Sequence, residues 1–150
     1  MQRLLFLCTA NYYRSRFAEV LFNHLAVERQ LGWIAESRGL ATILGAGNTD
    51  AISEHTIEGL RDRNVEIRSN HRPPIQVELR DFESADLVIA LDEQEHRPYM
   101  QGRFPDWTDR IEYWQVGDLH ITTADEALSL AEHEVRSLIE RLAANQPAKT

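Results

Sequence analysis

Short unbroken apolar runs alternate along this chain with stretches whose apolar residues recur every three or four places. RLLFL (3–7) and DLVIAL (86–91) are continuous, the pattern of strands buried on both faces. WIAES (33–37) and IEYWQV (111–116) supply two more strand candidates. SRFAEVLFNHLAVERQLG (15–32) sets Phe17, Val20, Leu21 and Leu25 at helical spacing, and Gly32 stands where a helix C-cap is expected. TDAISEHTIEGLRDRN (49–64) predicts a second helix, weakened by Gly59. The stretch from Ser69 to Ile75 contains NHRPP and predicts a loop. DEQEHRPYM opens another helix after the 86–91 strand. Thr123 and Glu126 form a capping box before a last helix, which carries Leu128, Ala131, Val135, Leu138 and Leu142 on one face.

Strands alternating with helices predict a parallel sheet covered on both faces. The expectation is one α/β domain over residues 1–150, doubly wound, with four parallel strands and a flavodoxin-like topology; about 146–150 read as a frayed tail. In such sheets ligands bind at the carboxyl ends of strands. Cys8 sits at the carboxyl end of the first one.

Composition narrows the possibilities. Hydrophobic residues at 43% and charged residues at 27% fit a soluble globular chain. No apolar run approaches the roughly 18 residues of a membrane span, and the first residues lack a signal-peptide plan. A single cysteine excludes an internal disulfide and makes the cytoplasm the expected compartment. A net charge of −8 argues against nucleic acid and anionic membranes as partners. An anionic substrate then needs a locally positive pocket. The six histidines show no i, i+4 pair and no cysteine partners, so no metal is expected. DEQE (92–95) reads as an acidic first helical turn. Trp33 or Trp114 is a candidate wall for the cleft.

The chemistry concentrates in CTANYYRS (8–15). A loop between a buried strand and a helix N-terminus gathers backbone N–H groups into an anion site. Arg14 adds a planar, permanently charged fork suited to phosphate oxygens. A thiol in that field is favoured as the thiolate, the nucleophilic form. Ser15 is placed to donate a hydrogen bond to the sulfur. A lone cysteine at a strand end is ordinarily a small buried hydrophobe. The arginine at this spacing, the serine after it and the strand–loop–helix context reverse that reading.

Cys-x5-Arg-Ser at the first strand–helix junction resembles the low-molecular-weight protein tyrosine phosphatases of bacterial type, and the resemblance covers essentially the whole chain. CTANYYRS with the following FAE, SRG (37–39), NHRPP, DLVIALDEQE and QVGDL stand in the family's order. The resemblance implies a metal-free, cofactor-free enzyme acting on a phosphorylated protein or a small phosphate ester. It implies that Cys8 attacks phosphorus, that Arg14 and the loop from Thr9 through Ala10, Asn11, Tyr12 and Tyr13 to Ser15 hold the phosphate, and that Asp118 is the general acid. Asn11, Ser15, Ser37 and His71 match residues that support the loop.

The chain departs from the family pattern in three places. Leu119 follows Asp118 where proline is usual, and His120 stands where aromatic residues often do. Ala10 replaces a glycine. Tyr12 and Tyr13 occupy positions where many members have an aliphatic residue and a second cysteine. Two other readings share the loop: an arsenate reductase using an external small thiol, and a phosphoanion-binding module with weak turnover. Without a second cysteine, Cys8 oxidised by peroxide has no internal thiol to resolve it. Mild peroxide is therefore expected to cause a loss of activity that only an added small thiol reverses. Equal recovery with and without thiol overturns this.

Overall fold

The computed structural model describes residues 1–48, 50–67, 72–118 and 123–146. The first apolar run forms β1 (Gln2–Cys8), followed by α1 (Arg14–Glu28) and β2 (Trp33–Gly39). Then come α2 (Glu54–Arg61), α3 (Leu79–Ser84), β3 (Leu87–Ala90), α4 (Glu93–Arg103), β4 (Glu112–Tyr113) and α5 (Ala124–Ala144). The four strands pair in parallel in the order β2-β1-β3-β4. The doubly wound sheet expected from the alternation of elements is the observed one.

Side chains of β1 alternate between two cores, which is why its run is apolar throughout. Leu4 and Phe6 join Ile89 under α1 and α5, packed against Phe17, Leu21, Phe22, Val135 and Leu138. Leu5 and Leu7 join Val88 and Ala90 on the other face, against Phe82 of α3 and Met100 of α4. β1 leads to β2 on one side and is flanked by β3 on the other. This is the topological switch point, and its crevice opens at the carboxyl ends of β1 and β3.

Several boundaries differ from the sequence reading. α1 ends at Glu28, and Gln30, with φ of 54°, takes the left-handed position assigned to a glycine cap at residue 32. Leu31 N–H then reaches back to the Ala26 carbonyl at 2.9 Å and closes the helix end. α2 begins only at Glu54, because Ser53 caps it by accepting from the His55 N–H at 3.2 Å. The regular part of β4 is two residues long. Its hydrogen bonding to β3 nonetheless runs on through Trp114 N–H to the Ala90 carbonyl and Val116 N–H to that of Leu91. α3 is an element the apolar pattern did not announce. Its six residues are too few for a periodic stripe, and it is set by a reciprocal Glu78–Asp81 capping box. Thr123 caps α5 by accepting from the Glu126 N–H at 3.2 Å.

Gly59, a weak residue for a helix, has a packing reason. A Cβ there would run into Leu128 Cδ1 of α5 and sit 3.5 Å from the Phe17 ring of α1. Replacing Gly59 by valine is expected to lower stability by about 1–3 kcal/mol through overpacking, despite valine's better helix propensity. Chemical denaturation of Gly59→Val with and without Leu128→Ala checks this. The double variant should cost less than the sum of the two single changes.

Candidate active site

β1 delivers Cys8 to the mouth of the crevice, and residues 9–13 turn the chain into α1. Tyr13, the N-cap of α1, gives the helix no side-chain hydrogen bond, so the first-turn N–H groups lack that partner. Among the described residues, no backbone carbonyl accepts from the N–H groups of Ala10 to Tyr13. A run of unspent donors at a helix N-terminus is an anion site.

Asn11 fixes the loop's shape. It is fully buried at φ of 54°, the left-handed region that asparagine tolerates better than most residues. Its amide is saturated. Nδ2 donates to Ser15 Oγ at 2.8 Å and Ser37 Oγ at 2.9 Å, while Oδ1 accepts from Arg72 Nη1 at 3.0 Å and Ile75 N–H at 3.1 Å. Ser15 Oγ lies 2.9 Å from Cys8 Sγ. Because Ser15 Oγ already accepts from Asn11, its own proton is free to point at the sulfur.

The loop is braced from behind. Ser37 Oγ donates to Glu19 Oε1 at 2.6 Å, and Arg72 Nη2 reaches Ser37 Oγ at 3.0 Å and Glu19 at 3.2 Å. Buried Arg16 donates to the carbonyls of Asn11, Ala51 and Arg72. Burial, and then the charge of Arg72, push its guanidinium down to about 10. Ser53 N–H and Thr56 Oγ1 donate to the Tyr12 and Tyr13 carbonyls, both at 2.9 Å, and so tie α2 to the loop. Gly39 is required for space. A Cβ there would sit 3.0 Å from the Thr9 carbonyl oxygen and 3.1 Å from the Ala10 carbonyl carbon.

Arg14 is 2% exposed. Nη1 donates to the Val116 carbonyl at 2.9 Å and Nη2 to Glu95 Oε2 at 2.5 Å; Asp118 Oδ2 lies 4.0 Å from Nη2. Glu95 Oε2 also accepts from Thr9 Oγ1. Burial acts to raise the Glu95 carboxyl, but contacts from His96, Arg14 and Thr9 outweigh it and hold it well below the usual carboxylate range. His96 is fully buried, and its Nδ1 accepts from the Asp92 N–H at 3.0 Å. The neutral ring therefore carries its proton on Nε2, 2.9 Å from Glu95 Oε2.

These groups meet at a cleft of about 800 Å³ whose walls include Cys8, Arg14, Tyr12, Tyr13, Tyr99 and Asp118. The aromatic wall is tyrosine. Trp114 is buried beside Phe6, and Trp33 borders a separate depression with Asp86 and Arg141, so neither tryptophan lines the cleft. Tyr13 donates its hydroxyl to the Ala124 carbonyl at 3.3 Å. Burial foremost, partly offset by Arg14 and reinforced by Asp118 and Asp125, pushes that hydroxyl up to about 12.

The sequence-derived residues Cys8, Thr9, Ala10, Tyr12, Tyr13, Arg14 and Asp118 thus share one cleft, with Asn11, Ser15 and Ser37 beneath the loop. His71, Leu119 and His120 lie outside the described residues. Arg72, next to His71, makes bonds to Asn11, Ser37 and Glu19 of the kind expected of that histidine. Sequence reasoning missed Glu19, Arg16, Arg72 and Glu95. Glu95 was legible only as part of an acidic helix start. The signal that could have singled it out is its place just beyond the strand that flanks β1.

Residues 3–147 match the family model described as low molecular weight phosphotyrosine protein phosphatase. The chain belongs to that family. A protein-arginine-phosphatase of Bacillus subtilis is 32% identical over 109 residues, which span 72% of this chain and 67% of the relative. The crystal structure of the low molecular weight protein tyrosine phosphatase from T. tengcongensis superposes with a TM-score of 0.74 at 26% identity, covering 97% of this chain and all of that one. YfkJ from Bacillus subtilis shares the fold with a TM-score of 0.81 at 22% identity, over 98% of each chain. Among the described residues of this phosphatase, no helix is long and apolar enough to cross a membrane.

His96 links this site to stability. Burial, against the raising influence of Glu95, lowers its pKa below the ordinary histidine value of about 6.5. The unfolded chain therefore takes up this proton first. The contribution of neutral His96 is complete above that value and is lost as pH falls below it. Thermal unfolding at pH 7.5 and 5.5 should show a larger drop in Tm for the wild type than for His96→Asn. Parallel drops overturn the assignment.

Proposed function

We propose that this phosphatase removes phosphoryl groups from protein side chains through a phosphocysteine on Cys8, with Asp118 as general acid. One observation carries the reading. The Cys8 sulfur, hydrogen-bonded to Ser15, shares a cleft with a buried Arg14, and Asp118 stands 4.0 Å from that guanidinium at the same mouth. The sulfur attacks phosphorus, an S–P bond forms and the bond from phosphorus to the carrier breaks. Asp118 gives its proton to the leaving atom. Water then attacks phosphorus, Asp118 takes a proton from it, the S–P bond breaks and inorganic phosphate departs. The phosphoryl group is loosely bonded in transit, so most of the acceleration comes from charge and placement: Arg14 and the loop N–H groups.

For the carrier, phosphotyrosine is the first reading, supported by the family and by a wall of Tyr12, Tyr13 and Tyr99. Phosphoarginine is the second. The relative at 32% identity is a protein-arginine-phosphatase. Asp50, Glu54 and Asp118 also border the cleft, and carboxylates there suit a carrier that brings its own positive charge.

The test is hydrolysis of p-nitrophenyl phosphate between pH 5 and 8 with chelator present. Peptides carrying phosphotyrosine or phosphoarginine are then compared by kcat/KM. Cys8→Ser should be inactive. Asp118→Asn should be slowed by about 10²–10⁴-fold on peptide substrates. A Cys8→Ser variant as active as the wild type sinks the mechanism. An unimpaired Asp118→Asn moves the acid elsewhere.

A further inference from the structure

The guanidinium that must receive the phosphate is held by a carboxylate the mechanism does not use. Arg14 has five N–H donors. One on Nη1 goes to the Val116 carbonyl and one on Nη2 to Glu95 Oε2, which leaves three without a hydrogen bond to the described residues, including Nε–H. The plane is therefore gripped at both terminal nitrogens, with donors to spare. Glu95 Oε2 also takes the hydroxyl of Thr9, so one oxygen joins the two ends of the catalytic loop. Glu95 lies in the first turn of α4, and its neighbour His96, anchored through Nδ1 to the Asp92 N–H, sets Nε2 2.9 Å from the same oxygen, a close contact without hydrogen-bond geometry.

We propose that Glu95 is a positioning residue for phosphate binding: it fixes the plane of Arg14 against the Val116 carbonyl, so that the remaining donors face the incoming phosphate. The position of its oxygen, more than its charge, is what the site uses. This rests on the reading of Cys8 to Ser15 as the phosphate site. Phosphate affinity is measured apart from turnover, so the two claims separate.

The experiment measures kcat and KM for p-nitrophenyl phosphate, the inhibition constants of inorganic phosphate and orthovanadate, and Tm. The proteins are wild type, Glu95→Ala, Glu95→Asp and Glu95→Gln. Aspartate keeps the charge but withdraws the oxygen; glutamine keeps an oxygen in reach without the charge. The alanine and aspartate variants are expected to raise KM and both inhibition constants at least tenfold, with a smaller effect on kcat. Glutamine should restore them to within about threefold of wild type. The aspartate variant covers the case in which alanine leaves Arg14 too poorly compensated to fold. Phosphate binding as tight in Glu95→Ala or Glu95→Asp as in wild type overturns the proposal, as does failure of Glu95→Gln to recover it. If wild type binds phosphate but does not turn over, the phosphatase reading fails while the positioning claim is still decided by the inhibition constants. If wild type neither binds phosphate nor turns over, both fall.

Discussion

A guanidinium buried to 2% exposure dictates much of this molecule. An uncompensated charge in that position costs several kcal/mol, so the fold must bring partners to it from distant parts of the chain. It does so from two directions. The Val116 carbonyl arrives from the segment after β4, and the Glu95 carboxylate from the first turn of α4. Both segments lie beyond the carboxyl ends of strands on the same side of β1, which ties the charge to the strand order. Burial alone would lower the Arg14 pKa. The charges of Cys8, Glu95 and Asp118, with the Glu95 hydrogen bond, more than reverse this, and the group stays cationic at the cleft.

The second constraint is the left-handed Asn11. One side chain there makes four hydrogen bonds, to Ser15, Ser37, Arg72 and Ile75. Losing such a buried network costs about 1–3 kcal/mol for each group left unpaired. The network reaches the Cys8 sulfur in a single step, because the Asn11 bond to Ser15 leaves the serine proton for the sulfur. Loop shape and the surroundings of that sulfur are therefore one structural property. Arg72 closes the circuit with Glu19 and Ser37.

Much of this was legible in the residues. The continuous run of β1 announced a strand buried on both faces, because both sheet faces are covered from Leu4 to Cys8. The strand–loop–helix context around Cys8 and Arg14 marked a candidate anion loop, because loop and helix start are local in the chain. Cys8, Arg14 and Ser15 needed no long-range information. Asn11, Ser37 and Asp118 came with the resemblance, and the structure sets Asn11 and Ser37 under the loop and Asp118 at the cleft.

The rest depended on contacts between residues far apart in sequence. Glu95 read as one acid among four, since nothing local distinguishes a carboxylate that neutralises a helix start from one that grips an arginine 81 positions away. Arg72 and His71 are adjacent, and only the path of the backbone decides that Arg72 reaches Asn11. The tryptophans looked like cleft walls by size, yet packing sent one into the core and the other to the opposite end of the sheet. Gly32 looked like a helix cap, but the hydrogen bond from Leu31 to Ala26 ended the helix earlier. The sequence by itself determined the sheet and the loop that carries Cys8, because these follow from periodicity and short-range geometry. Tertiary structure alone decided which charges compensate the buried arginine, because parallel strand order is what brings those charges within reach.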